Sequence, residues 1–361
     1  MSRYLYYPGC SMDGSGRAYG ESLTAVCEHL GLTLAEIDDW NCCGATEYVG
    51  VSLSPAYALI ARNLAIASKS QTEREPLVAA CSACYLNLAK ADSYMKERPL
   101  LNERVNVALD AGGLHYDPGS VEIRHLLEVI MNDVGLDKVR ASVVKPLAGL
   151  RVAPYLGCML PRPDPDHRWK NHERPDDLDR LLEALGADVV DFPLKTECCG
   201  GHMTQIAPKV GLELIKRLVD EAEHHLADMM VTVCPMCQIN IDAYQGEMNA
   251  LFHTKHKMPI VFFTQLMGVA FGLDPKKMGI GRELTNARPA LKKIGQVSVA
   301  VAAEVTPAHR PRPDKRALPM PRMAASDEVP AGVAPAGVAP AGVAPAGAAP
   351  AGVAPAGEVR Q

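Results

Sequence analysis

Ten of the eleven cysteines in this 361-residue chain fall into two copies of one spacing: Cys10, Cys42-Cys43 and Cys81-x-x-Cys84, then Cys158, Cys198-Cys199 and Cys234-x-x-Cys237. The first cysteine is separated from the vicinal pair by 31 and 39 residues, and the pair from the C-x-x-C by 37 and 34. A C-x-x-C that opens a helix puts two sulfurs on one side of the first turn, where unpaired amides and the positive helix end favour thiolate over thiol. Each vicinal pair precedes a glycine, Gly44 or Gly200, whose missing side chain lets the backbone approach an inorganic ligand. Cys10 and Cys158 each follow a glycine at the end of an expected strand, so five sulfurs per half are expected to converge on one point. Zinc takes four ligands and would leave one cysteine idle in each half. An all-thiolate set suits iron-sulfur clusters; a conventional four-iron cubane also needs only four cysteines, so five suggests a larger or more open cluster. Spacing therefore predicts two five-thiolate metal sites, with iron-sulfur favoured.

Other residues are weighed beside these. Cys234-Pro235-Met236-Cys237 looks superficially like a thioredoxin-type dithiol, but its tie to a vicinal pair, repeated in two copies, argues against that reading. Cys27 has no counterpart in the second copy and falls on an apolar helix face, as a buried structural thiol does. His202, three residues past Cys199, is a candidate to donate to a cluster sulfur or protonate a thiolate, against the plain alternative of a loop histidine. His167 and His172 lie in a connection from Pro161 to Pro175 that would cover the second site, and Arg162, Arg168, Lys195 and Arg17 are candidates for an anionic substrate group.

The elements that must position these residues also repeat. Each copy reads strand, helix, strand, helix, strand, helix: Tyr4 to Tyr7, Arg17 to Leu30, Leu32 to Ile37, a helix capped at Ser54-Pro55 and running to about Ser68, then Leu77 to Ala80. The second copy has Val152 to Leu156, Asp176 to Leu185 closed by Gly186, Asp188 to Phe192, a helix containing Leu214 to Ala222, and Met230 to Val233. Alternating units of this kind predict a small parallel α/β sheet per half, with ligands beyond the carboxyl ends of its strands. A closing helix-like segment is expected at Val121 to Ile130 and at Ile260 to Val269. The expected domains are 1–148 and 149–285, related by a pseudo-two-fold axis, with 286–361 as a Pro/Ala/Gly-rich disordered tail.

With 37 Lys+Arg against 42 Asp+Glu, the formal charge of −5 gives no electrostatic reason to expect nucleic acid or an anionic membrane as partner. The most apolar stretch, Met258 to Leu273, is interrupted too often to span a bilayer. Met1 runs directly into the expected first strand without an apolar leader, so a cytoplasmic, reducing location with free thiols is expected.

The cysteine pattern C…CCG…C-x-x-C in tandem, together with Ile123-Arg124-His125-Leu126-Leu127-Glu128-Val129-Ile130 and the Met131 to Leu136 run after it, resembles the B-type subunits of heterodisulfide reductase from Tyr4 to about Leu273. The resemblance implies two tandem CCG domains, each binding a noncubane [4Fe-4S] cluster through five cysteines. Carried over, one cluster falls to Cys10, Cys42, Cys43, Cys81 and Cys84, the other to Cys158, Cys198, Cys199, Cys234 and Cys237. It implies an oxidoreductase that reduces a small-molecule disulfide, in methanogens that of coenzymes M and B, or runs in reverse. The implied partners are the ferredoxin-like C-type and flavoprotein A-type subunits of heterodisulfide reductase. Met159, where the family often has histidine, and the Pro-Ala-Gly repeats are departures that bear on the substrate more than on the clusters. A non-catalytic electron-transfer subunit of a fumarate, succinate or lactate oxidoreductase is the competing function, and a zinc-stabilised scaffold a third.

Overall fold

The computed structural model describes residues 2–45, 48–162, 171–172 and 174–296. Strands β1 (Ser2–Tyr7), β2 (Leu32–Glu36), β3 (Leu77–Ala79) and β4 (Ile123–His125) form one parallel sheet in the order β2-β1-β3-β4. Strands β5 (Arg151–Tyr155), β6 (Asp188–Val189), β7 (Met229–Thr232) and β8 (Ile260–Phe262) form a second in the matching order β6-β5-β7-β8. Every ladder is parallel, which requires crossover connections, and helices supply them. The repeat in the sequence is thus a repeat in topology, with flanking helices in each half as expected.

The fourth strand of each sheet was not expected. Ile123 to His125 and Ile260 to Phe262 are extended, and only the residues after them are helical, from Leu126 and Phe263 respectively. All six strand residues are buried, so no alternation of exposure marks them in sequence. Two further boundaries move. The helix expected to be capped at Ser54 begins at Leu53 with Ser52 in the cap position, and the strand expected over Asp188 to Phe192 is only Asp188–Val189. The fold also continues past residue 285: a short helix at Arg288–Leu291 buries Ala287 and Ala290, and the Gly295 amide donates to the Ala148 carbonyl at 2.7 Å. From residue 297 the expected tail lies outside the described residues.

The two sheets belong to one compact unit with one continuous core. Helix Arg17–His29 packs along helix Phe263–Ala270, joining first half to second. Tyr19, fully buried, stacks on Phe262 at 4.3 Å between ring centroids and 6° between planes. Beside it the buried hydroxyls of Ser22 and Thr264 pair at 2.7 Å, and His29 stacks on Phe271 at 4.9 Å. The Tyr19 hydroxyl donates to the Ala80 carbonyl at 2.9 Å and lies 3.4 Å from that of Val233. Those two residues precede the two C-x-x-C motifs, so one side chain ties both strand ends together. Among the described residues, no helix is long and apolar enough to cross a membrane.

His125 closes β4 where Phe262 closes β8. It is fully buried, accepts the Leu127 amide on Nδ1 at 3.1 Å and meets Tyr85 edge-on. Burial holds its imidazole down at about 4, although negative charge at Cys234 opposes the shift. Between that value and the ordinary 6.5 the unfolded chain binds a proton that the folded chain does not. The stabilising contribution of neutral His125 is therefore fully present above pH 6.5 and lost as pH falls toward 4. His125→Phe, copying the second half, is expected to flatten the urea-midpoint profile across that window. Equal slopes in both proteins would count against it.

Candidate metal-thiolate centre

Each cysteine set gathers where β1 and β3, or β5 and β7, end. β1 runs out into Pro8-Gly9-Cys10 and β5 into Leu156-Gly157-Cys158. Gly9 and Gly157 adopt φ of +75° and +70°. A Cβ on Gly9 would lie 2.9 Å from Cys84 Sγ, and one on Gly157 2.9 Å from Cys237 Sγ. Glycine therefore stands before the first cysteine because the last cysteine's sulfur occupies the space of its side chain. Gly157→Ala combines that clash with about 1–2 kcal/mol of left-handed strain. It is expected to lower metal retained by the second half and spare the first, as read from metal content per chain.

The C-x-x-C motifs open helices Ser82–Glu97 and Pro235–Ala243, with Cys81 and Cys234 in the cap positions. Proline suits the first turn of the second helix, where its missing N–H would have no partner in any case. In the first half the Cys10 and Cys42 sulfurs are 3.8 Å apart and those of Cys43 and Cys84 3.3 Å. Cys42 also bonds to Cys43, and Cys84 to Cys81. The second half repeats the sequence of contacts as Cys158, Cys198, Cys199, Cys237, Cys234. The innermost thiols, Cys81 and Cys234, bond to each other across the junction of the halves.

The sulfurs are linked by a continuous series of neighbouring contacts, and no group of three or more Cys, His, Asp or Glu that could hold a metal ion forms among the described residues. Both outer ends are open, since Cys10, Cys42 and Cys198 are exposed and Cys158 is half-buried. The six inner cysteines, Cys43, Cys81, Cys84, Cys199, Cys234 and Cys237, are buried.

Protons are shared unevenly along this series. Hydrogen bonds from Cys42 and then Cys84 bring the Cys43 thiol down to about 4, against the effect of burial. Bonds from Cys158 and then Cys199 bring Cys198 down to about 2, and bonds from Cys237 and then Cys81 hold Cys234 well below the ordinary thiol range. Their donors are pushed up, Cys199 to about 12, chiefly by its bond to Cys198. Amides add to the anionic character: Gly200 and Gly201 donate at 3.4 Å to the sulfurs of Cys198 and Cys199. A donor set made of sulfur alone, with more thiols in each half than a single tetrahedral ion takes, fits a polynuclear thiolate-bound group. Two orphaned buried polar atoms beside it, Ser82 Oγ and His202 Nε2, fit such a group as well.

The model for the cysteine-rich domain CCG matches residues 4–89 and again 152–242, one match per half. The 8-methylmenaquinol:fumarate reductase membrane anchor subunit of Wolinella succinogenes is 30% identical over 287 residues, covering 80% of this chain and 98% of the relative. The B-type subunit of the ferredoxin:CoB-CoM heterodisulfide reductase of Methanosarcina mazei is 28% identical, covering 84% and 100%. This chain belongs to the heterodisulfide reductase B-type family of CCG proteins. A heterodisulfide reductase B-like protein of Archaeoglobus profundus is also 28% identical, covering 77% and 93%. A solved structure of a hypothetical protein from Helicobacter pylori shares the fold, with a TM-score of 0.63 at 14% identity, covering 79% of this chain and 52% of that one.

Several candidates on this B-type framework are committed elsewhere. Lys195 is buried and paired with Asp179, while its carbonyl accepts the Leu156 and Gly157 amides at 2.9 and 3.0 Å. Through that carbonyl it holds the turn before Cys158. Arg162 donates to Thr196 Oγ1 at 2.8 Å, exposed Arg17 pairs with Glu21 at 2.9 Å, and His172 Nδ1 lies 3.1 Å from the Pro161 carbonyl. His167 and Arg168 lie outside the described residues. Cys27 is 2% exposed and its thiol is pushed up to about 12 by burial, as a structural cysteine should be.

Four positioning residues were missed in the sequence. Tyr7 and Tyr155 donate to the carbonyls of Asn41 and Glu197, each just before a vicinal pair, both at 2.7 Å. Asn87 and Asn240 donate to the Cys43 and Cys199 carbonyls at 3.0 and 2.7 Å. Their signal was equal offset: tyrosine three residues before the first cysteine, and asparagine three after the last, in both copies.

Proposed function

We propose that this chain is an iron-sulfur oxidoreductase subunit that works at two noncubane [4Fe-4S] clusters and delivers electrons to a small-molecule disulfide, or takes them from two thiols. The observation that carries the reading is the set of five cysteines gathered at the strand ends of each half, with Cys10, Cys42 and Cys198 exposed and six of the ten buried. Cys10, Cys42, Cys43, Cys81 and Cys84 would hold one cluster, and Cys158, Cys198, Cys199, Cys234 and Cys237 the other. Such clusters supply one-electron equivalents and an iron to which sulfur can bind. The chain's own residues do the rest. The lowered thiols of Cys43, Cys198 and Cys234 offer sulfur in the metal-binding state at neutral pH. Asn87 and Asn240 fix the vicinal pairs, and the buried inner cysteines are kept from water. Reducing one disulfide to two thiols takes two electrons and two protons, which matches a pair of one-electron centres fed by partner subunits of ferredoxin and flavoprotein type. A cavity of about 420 Å³ between the halves is lined by Arg17, Gln238, Asp242, Phe262 and Glu283 among others, and by no cysteine. A disulfide would accordingly approach the exposed cysteines, Cys10, Cys42 and Cys198. A reducing, cytoplasmic setting accords with eleven unpaired thiols.

The test is iron, labile sulfide and zinc per chain after anaerobic purification, with spectra before and after adding a disulfide. About eight irons and eight sulfides, and a spectrum that answers to disulfide or thiol, are expected. Stoichiometric zinc without colour would defeat the proposal.

One observation favours a second reading. Cys81 and Cys234, one from each half, interact by a hydrogen bond across the junction, and a fumarate reductase subunit is among the relatives. A pure electron relay would hold the same iron and stay spectrally indifferent to disulfides and thiols.

A further inference from the structure

Two of the positions at which the halves differ lie close to the cysteines. Ser82 stands inside Cys81-Ser82-Ala83-Cys84, where the second half has Pro235. Its side chain is 1% exposed and its Oγ has no hydrogen-bond partner. His202 stands three residues past Cys199, where the first half has Thr46. Its Nε2 is likewise buried without a partner. A buried donor left unpaired costs about 1–3 kcal/mol. Here the cost occurs twice, each time within three residues of a cluster cysteine and each time in a different half. The neighbouring side chains already have partners: Thr204 bonds to Asn240, and Asn240 to the Cys199 carbonyl. No protein acceptor takes these two protons, and the group the cysteines would hold can supply one.

We propose that Ser82 Oγ–H and His202 Nε2–H are hydrogen-bond donors to the sulfur of the groups bound in the first and second halves respectively, so that the two clusters differ in reduction potential. The inference rests on the cluster reading above. Donors to cluster sulfur favour the reduced, more negative state and raise the potential. Pro235 leaves the second site without the hydroxyl that Ser82 offers the first, and His202 offers a donor there instead. The halves therefore accept their electrons in sequence, not as equals.

An anaerobic redox titration of the full chain, followed by electron paramagnetic resonance with iron content measured in parallel, tests this. The wild-type chain is expected to show two midpoints. Ser82→Ala should lower one by about tenfold in its reduction equilibrium, or about 59 mV for one electron, and leave the other in place. Ser82→Thr, which keeps the hydroxyl, should restore it. His202→Leu should lower the other midpoint, with His202→Gln restoring a donor; this pair stands independently if the Ser82 variants fold poorly. Midpoints that stay put in both variants while iron is retained, or that move together in either, would overturn the proposal. A wild-type chain that carries no iron would overturn the cluster reading and this inference with it.

Discussion

Replacing Cys84 with serine is expected to remove about four of the eight irons and their labile sulfide, leaving the second half's complement intact. Cys84 lies between Cys43 and Cys81, 3.3 Å from the former, and is 5% exposed. Its sulfur fills the space that Gly9 leaves by lacking a side chain. Serine offers a harder oxygen with a much higher pKa, a poor substitute for thiolate toward iron. The matching variant Cys237→Ser should empty the second half alone. Iron and sulfide assays on the two variants decide the matter: loss of all metal from either would show one shared site instead of two.

The second large effect is on folding. Tyr19→Ala is expected to cost about 4 kcal/mol, in the range for deleting a buried aromatic ring. It removes the ring stacked on Phe262 and the hydroxyl held by the Ala80 carbonyl. Tyr19→Phe keeps the ring and gives up only the hydrogen bonds, a loss of about 1 kcal/mol. Urea titrations followed by circular dichroism would rank the three proteins. Because Tyr19 spans the strand ends of both sheets, both halves should unfold in one transition. A variant whose second half unfolds separately, at the wild-type midpoint, would refute a shared core.

Much of this architecture was legible in the sequence because duplication writes each signal twice. The ten cysteines, the glycine before each first cysteine and the three leading strands of each half followed from spacing and periodicity. What escaped was what periodicity does not encode. β4 and β8 are buried on both faces, so Ile123 and Ile260 look like the start of the helices that follow them. The segment from Arg288 to Gln296 has the composition of a tail, yet it packs because Gly149, at φ +87°, has no side chain to collide with the Gln296 carbonyl. For Lys195, Arg162 and Arg17 sequence shows the charge but not its neighbours, which are Asp179, Thr196 and Glu21. Asn87 and Asn240 sat in plain view, yet a helical asparagine has many uses until the carbonyl it meets is known.

The hydrogen-bonded thiols of Cys81 and Cys234 belong to one polypeptide. Had the same two surfaces belonged to separate copies of a half-length chain, their meeting would depend on protein concentration and fail on dilution. Joined through the linker between β4 and β5, the halves face each other at a local concentration that dilution cannot change. Tandem fusion also removes the constraint of identity that a two-fold dimer imposes. Substitutions such as His125 opposite Phe262, or Ser82 opposite Pro235, can then appear on one side alone, and the chain can hold direction where a symmetric pair would have none.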